Sequence, residues 1–377
     1  MINNNLNKNS LNIDIIDGLR GIAILMVVCF HYWQISWISF GSIDFIAQSG
    51  FIGVELFFFI SAFCIFYPYA LHIFEGIREQ SIKEFFLKRA DKIIPSYILA
   101  IVLILTFQQG TFSSLREQLW NIFTHIIFIH NFFPETYYSI NGVFWSLAVE
   151  IQFYILFPII LYLFKRKPFL TYISLCSISL VYRYCVLNYF KNDINFLLNQ
   201  TINFLDIFAS GIMTAYLLVM AKNRLTEIKK LRPFFTVMSI IAILIFLLLL
   251  KSLFDVRFDK DGTQICQLEN RYLISIIFSI LTLSLYFSSN IFKKLFSNIF
   301  LRFMSIISYN LYIWHQFIGR KIQISIEKNF VSDIHSDYSW QISFMLISII
   351  ASLFVSIIIT FLFERPLLKK LKMRWKN

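Results

Sequence analysis

Long apolar runs separated by short polar turns, many of them basic, dominate the chain. A run of about 17–25 apolar residues can cross a bilayer as an α-helix. Ten runs have that character, near 21–40, 51–71, 93–107, 142–164, 169–188, 201–221, 233–250, 271–288, 299–318 and 340–362. An eleventh, 118–133, is short and carries His125, His130 and Asn131. The pattern predicts an all-α polytopic membrane protein with about ten transmembrane helices.

The basic residues decide how the eleventh segment is read. Lys and Arg cluster in 78–92, at 165–167, in 222–232, at Lys293–Lys294 and from Arg365 to Lys376, whereas 41–50 and 131–141 have none. If 118–133 crossed the membrane, the Lys165–Arg166–Lys167 turn would face outward. If it is a short re-entrant or interfacial segment, every basic cluster falls on one side and both termini are cytoplasmic, as the positive-inside rule favours. The second arrangement is the expectation. Residues 1–12 read as a disordered N-terminal stub, 13–366 as one membrane domain and 367–377 as a basic cytoplasmic tail. The stretches 251–270 and 319–339 read as the longest outer loops. No cleavable signal peptide is evident, and no internal repeat of the kind many transporters have.

Composition narrows the class. The chain is 58% hydrophobic and 15% charged, with mean hydropathy +0.67. Soluble domains are about 45–50% apolar and about 25% charged, so water cannot surround this chain and membrane lipids must. A soluble enzyme, a collagen, a coiled coil and a disordered tail are excluded. The net charge of +12, from 34 Lys+Arg against 22 Asp+Glu, belongs to the membrane-side clusters; no basic motif suggests nucleic acid. Four of the five cysteines lie inside apolar runs, which argues against a disulfide framework. There is no P-loop, dinucleotide fingerprint, HExxH or CxxC motif. His125 and His130, five apart, fall on different helix faces, and no bound metal is expected.

Titratable groups at membrane depth are costly and mark functional candidates. Arg20 precedes His31 by 11 residues, which is about 20° past three helical turns and roughly 16 Å of rise. The two share a face, and Asp17 is placed to pair with Arg20. A guanidinium at the membrane edge suits phosphates, and a neutral imidazole in the interior can act as a general base. Coenzyme A, with charged phosphates at one end of a long arm and a thioester at the other, matches that spacing. An anchoring Arg20 and a merely hydrogen-bonded His31 are the competing reading. Ser146, Glu150 and Tyr154 form a polar stripe at i, i+4, i+8. Glu150 either orients His31, binds a sugar hydroxyl or pairs with an intramembrane cation. Trp145 is either an interfacial anchor or a stacking surface for a sugar ring. Ser308, Tyr312 and His315 share another face, and Glu55 and Asp206 are further intramembrane carboxylates. Lys88, Arg89 and Lys92 form a basic cluster before Pro95, open to phosphate binding or to simple anchoring.

Together these segments resemble the integral-membrane acyltransferase 3 family, bacterial enzymes that O-acylate surface and exported polysaccharides. IDGLRGIAILMVVCFH contains Arg20, ten intervening residues and His31, matching the family's Arg-X10-His signature. GFIGVELFFFISAF (50–63), FFLKRADKIIPSY (85–97), FWSLAVEIQFY (144–154), SYNLYIWH (308–315) and FERP (363–366) follow in the family's order. Ala62 stands where glycine is usual and Lys92 where arginine is common, which removes the bidentate fork there. No soluble domain is seen beside the membrane region, so the acceptor is expected to be handled by the membrane core and outer loops alone. The resemblance implies an O-acetyltransferase of the bacterial inner membrane. Acetyl-CoA would be held by Arg20, Arg89 and Lys92, and His31 would deprotonate an acceptor hydroxyl of a surface polysaccharide such as an O-antigen, lipopolysaccharide or capsule, whether free or lipid-linked. Glu150 would support His31 or the sugar, and Trp145, Tyr154 and His315 would line the site. Direct transfer and a protein-bound acyl intermediate both stay open. A transporter or flippase for a lipid-linked glycan and a non-catalytic scaffold are the rival readings.

Overall fold

The structure, a computed structural model, describes residues 14–108, 112–222, 229–327 and 337–374. The expected N-terminal stub and the last three residues of the basic tail lie outside them. Twelve principal helices carry the chain: α1 (Asp14–Ser36), α2 (Gly53–Glu75), α3 (Ile82–Phe107), α4 (Leu115–Ile126), α5 (Phe144–Arg166), α6 (Pro168–Tyr189), α7 (Leu205–Lys222), α8 (Arg232–Asp255), α9 (Gly262–Phe287), α10 (Ile299–Glu327), α11 (Tyr338–Ile358) and α12 (Arg365–Arg374). No strand occurs among the described residues. Lipid offers no partner to a bare N–H or C=O, so each crossing satisfies its backbone within a helix.

Nine helical stretches among the described residues are long and apolar enough to cross a membrane, and they coincide with nine of the ten apolar runs. The tenth run forms the first part of α10, whose 29 residues span about 43 Å at about 1.5 Å per residue. Its polar positions, among them Ser305, Ser308, Asn310 and His315, lower its average hydropathy. They are buried because they face the interior of the protein. Several helices also extend beyond their apolar runs. Ser81 accepts from the Glu84 amide at 3.1 Å and so caps α3 eleven residues before its apolar stretch. The described parts of the stretches read as outer loops are largely helical too: α8 runs to Asp255, α9 starts at Gly262 and α10 continues to Glu327.

The eleventh segment reverses. α4 has 12 residues, too few to cross, and Phe128 then takes a positive φ of 57°. Lys165 at the end of α5 accordingly pairs with Glu79 between α2 and α3. Lys222, ending α7, approaches Glu75 at 4.0 Å. Arg302 at the start of α10 reaches Asp14 at the start of α1 at 3.4 Å. The basic turns therefore gather at one end of the bundle.

Two close approaches set the core. A Cβ on Gly21 would stand 2.2 Å from the Leu301 carbonyl oxygen, and one on Gly53 would stand 2.5 Å from that of Ala23. Only glycine lets α10 and α2 press this closely on α1, the role of small residues between membrane helices. Tyr32, fully buried, then donates to the carbonyl of Ser348 at 3.1 Å, lies 3.3 Å from that of His315, and meets the Ser352 hydroxyl. These bonds fasten α1, α10 and α11 together. After α11 the helix widens into a π-helical turn over Ile359–Glu364. Pro366 follows it, a residue that cannot donate an N–H and crowds the carbonyl four residues back.

Gly21→Val drives a side chain into the α10 backbone. It is expected to cost about 2–3 kcal/mol or more, read as a lower melting temperature and a reduced monodisperse fraction in detergent.

Candidate active site

Two cavities enter the bundle from opposite ends and share two wall residues, Val54 and Tyr312. The first, about 640 Å³, opens at the end where the basic turns gather. Its polar wall carries Arg20 and Asp17 from α1, Arg89 and Lys92 from α3, Glu364 from the π-helical turn, and Arg365 and Lys369 from α12. Arg20 bridges to Asp17 at 3.3 Å and lies 3.4 Å from the Cys64 sulfur. Lys92 pairs with Glu364, which also accepts from Asn310 at 2.7 Å. Arg89 lies over the Tyr154 ring, 5.9 Å from its centroid, and its Nε is buried without a hydrogen-bond partner. Five cations thus face three carboxylates (Asp17, Glu150, Glu364), which leaves a surplus of positive charge for an anion.

The polar stripe of α5 lines the same cavity. Glu150 accepts from Ser61 at 2.5 Å and from Tyr154, whose hydroxyls lie 2.7 Å apart. Glu150 and Tyr154 therefore sit with Arg20, Arg89 and Lys92 rather than beside His31. Lys88, the third member of the basic cluster, is exposed and lies outside the wall.

The second cavity, about 1200 Å³, is lined by the opposite helix ends: Trp33 and Gln34 of α1 with Trp37 just after it, Asn141 and Trp145 around the start of α5, and Gln316 and Arg320 of α10. His31 opens into it. Trp145 stacks against Phe204, centroids 5.9 Å apart at 26°, and presents the rest of its ring to the cavity. Val54 and Tyr312 line both cavities and form the partition. The Tyr312 hydroxyl lies 2.5 Å from that of Ser146 and 3.2 Å from the Val143 carbonyl.

Behind the partition is a pair of imidazoles. His315 is fully buried, and its Nε2 stands 3.1 Å from Nδ1 of His31. His315 Nδ1 faces the carbonyls of Leu311 and Tyr312 at 3.0 and 2.8 Å. Carbonyls only accept, so in the neutral ring Nδ1 carries the hydrogen and Nε2 the lone pair. His31 Nδ1 then donates, to His315 and to the Val27 carbonyl at 2.9 Å. The lone pair of His31 falls on Nε2, the nitrogen that these contacts leave free, which is the form a general base requires. Sequence reasoning named His315 only as a lining residue. Its role as the partner of His31 depends on backbone carbonyls that no motif displays.

A buried ionic cluster supports the wall of the second cavity. Arg271 binds Glu55 at 2.8 Å and the Leu198 carbonyl at 3.2 Å, over the Phe204 ring at 4.2 Å. Arg183 binds Asp206 at 2.6 Å and Asn203 at 2.8 Å. Both carboxylates were visible in the sequence as intramembrane charges. Their arginines, in α6 and α9, were missed, although the cost of a charge in lipid marks them equally. Glu364, Arg365 and Lys369 were also missed as wall residues; the FERP segment was their signal. His125 and His130 are brought together, because the reversal at Phe128 folds one ring over the other at 3.9 Å and 5°. No group of three or more potential metal ligands is found among the described residues.

A family model described as an acyltransferase domain, the acyltransferase 3 family, matches residues 13–363. The peptidoglycan O-acetyltransferase OatA of Listeria monocytogenes is 29% identical over 166 residues, 40% of this chain and 24% of that protein. A putative O-acetyltransferase of Staphylococcus aureus is 26% identical over 323 residues, covering 80% of this chain and 49% of the relative. A putative acetyltransferase of Acidianus two-tailed virus is 24% identical over 297 residues, 79% and 80% of the two chains. The matched regions thus make up about a quarter of the Listeria protein and about half of the staphylococcal one. No solved structure matches.

Removing one partner of a buried pair strands the other charge, at a cost of about 3–5 kcal/mol. Arg271→Met is expected to lower thermal stability by that order, and Glu55→Gln added to it is expected to recover most of the loss; melting of the three proteins in one detergent checks this.

Proposed function

The chain belongs to the acyltransferase 3 family, and from that footing we propose that it is a membrane O-acetyltransferase that moves an acetyl group from cytoplasmic acetyl-CoA to a sugar hydroxyl of a bacterial surface polysaccharide. The observation that carries the reading is the pair of cavities on either side of Val54 and Tyr312, one rich in cations and one containing His31. Under the positive-inside rule the basic end is cytoplasmic, so the first cavity receives the donor and the second opens toward the acceptor, on the far face of the inner membrane.

Arg20, Arg89 and Lys92 hold the phosphates of the donor, with Arg365 and Lys369 at the rim. The two arginines offer forks that match phosphate oxygens, and Lys92 a compact charge shared with Glu364. The thin arm runs inward past Glu150, which Ser61 and Tyr154 fix by one oxygen, leaving the other for an N–H on the arm. The thioester reaches the partition at Tyr312. On the other side, a sugar stacks on Trp145 and sets one hydroxyl against His31 Nε2.

His31 takes the proton of that hydroxyl as the oxygen attacks the thioester carbonyl. The C–O bond forms, the C–S bond breaks, and the departing thiolate recovers the proton from His31. His315 holds the ring in the required tautomer throughout. General-base assistance is worth about 10²–10⁴-fold, and alignment of the two substrates across a water-poor partition contributes further.

Membranes containing the protein and its host glycan, given radiolabelled acetyl-CoA, provide the test. His31→Ala is expected to reduce glycan labelling at least 100-fold without changing the KM for acetyl-CoA. Arg20→Gln is expected to raise that KM at least tenfold. Unchanged labelling with His31→Ala would end the proposal. His315→Ala is expected to lower kcat by ten- to 100-fold and to alter the pH profile of kcat, because both ring tautomers of His31 become available; a fall in protein yield with an unchanged profile would reduce His315 to a packing residue.

A further inference from the structure

The second cavity carries charge that the transfer chemistry does not use. Four cations line it: Arg257, Arg271, Arg320 and Lys321. Among the described residues that line it, the only carboxylate is Glu55, which Arg271 takes at 2.8 Å. Arg257, Arg320 and Lys321 have no carboxylate partner among the described residues. Asp255 pairs with Lys251, Glu327 accepts from Gln323 at 2.7 Å, Asp337 caps the Ser339 amide at 2.9 Å, and Asp259 and Asp261, which follow Arg257 in the chain, are not among the described residues that line the cavity.

These cations are held in position. The Arg257 guanidinium is sandwiched by Phe254 at 3.5 Å and Phe258 at 4.1 Å, donates to the Phe254 carbonyl at 2.7 Å, and keeps a buried Nε without a partner. Lys321 donates to the Phe107 carbonyl at 3.0 Å. Arg320 follows Gln316 by one helical turn and Tyr312 by two on α10, and all three line the cavity. They lie at the end of the bundle away from the basic turns, where the bias of membrane proteins disfavours Lys and Arg. A cleft walled by low-dielectric protein concentrates the field of such uncompensated charges.

We propose that the acceptor is an anionic glycan, in which a carboxylate or phosphate lies within a sugar or two of the reacting hydroxyl and is bound by Arg257, Arg320 and Lys321 while an aromatic wall of Trp33 and Trp145 holds the ring. The proposal rests on the acyl-transfer reading for the role of the cavity, and it specifies the acceptor class: an acidic polysaccharide or a phosphate-bearing one, in preference to a neutral chain. Arginine forks bind either oxyanion, so the two sources share one site.

The experiment measures binding and does not depend on turnover. Full-length protein in phosphatidylcholine nanodiscs is titrated with two matched fluorescent pairs, tetragalacturonate against its methyl ester and mannotetraose 6-phosphate against mannotetraose. The expected result is at least tenfold tighter binding of one or both anions than of their neutral partners, the favoured pair telling carboxylate from phosphate. Arg257→Gln, Arg320→Gln and Lys321→Gln combined should erase the difference, and His31→Ala should retain it. Equal binding within both pairs, no binding at all, or a preference untouched by the triple variant would overturn the proposal. Repeating the titration in phosphatidylglycerol discs separates glycan from lipid: a preference that persists supports the glycan site, and one that vanishes assigns the cations to lipid headgroups and overturns it. If anion preference holds while labelled acetyl-CoA yields no acetylated glycan, the transfer reading fails and the anion site stands.

Discussion

The close crossing of α1 against α10 is the constraint on which the site depends. Gly21 lets the backbones touch at Leu301, and Tyr32 pins the upper part of the same helix to α10 and α11. His31 lies one residue before Tyr32, so the same crossing delivers its ring to His315. Interhelical apolar contact has little driving force in lipid, where the solvent is as apolar as the side chains. Small residues and buried hydrogen bonds therefore do the fastening, and here those fasteners also define the chemistry.

Each half of the molecule keeps its charges tolerable in a different way. Toward the far end, Glu55 and Asp206 are matched by Arg271 and Arg183 within the wall, while Arg257, Arg320 and Lys321 face the cavity without a carboxylate among the described residues. Toward the basic end, Arg20, Arg89, Lys92, Arg365 and Lys369 face a cavity and outnumber its carboxylates. Val54 and Tyr312, which separate the two cavities, carry no charge. Strongly hydrated groups are thus kept from the point where a thioester and a hydroxyl would meet, which favours transfer over hydrolysis.

Much of this was legible in the sequence because lipid imposes a strict rule on it. The apolar runs gave the crossings, and the basic turns marked one end of the bundle. The spacing of Arg20 and His31 correctly set both on the interior side of α1. What the sequence could not display was where the backbone turns. His125 and His130 look divergent on a continuous helix, but the chain reverses between them at Phe128. Glu150 looked available to His31, yet its helix carries it into the cation-rich cavity on the other side of Tyr312. His315 reads as one more polar residue of a motif, and only the carbonyls of Leu311 and Tyr312 fix which of its nitrogens is the acceptor. The arginines of the ion pairs were as visible as their acids, and the rule that singled out Glu55 and Asp206 applies to Arg183 and Arg271 as well.

The central claim is that a donor entering from the basic end meets His31 across Val54 and Tyr312. A structure of the protein with a non-hydrolysable acetyl-CoA analogue, determined by electron cryomicroscopy, tests it most directly. The account predicts phosphate density against Arg20, Arg89 and Lys92 and the acyl group at Tyr312, within reach of a hydroxyl held by His31. Density for the analogue in the Trp145 cavity, or an acyl group ending short of Tyr312 with no opening toward His31, would contradict it.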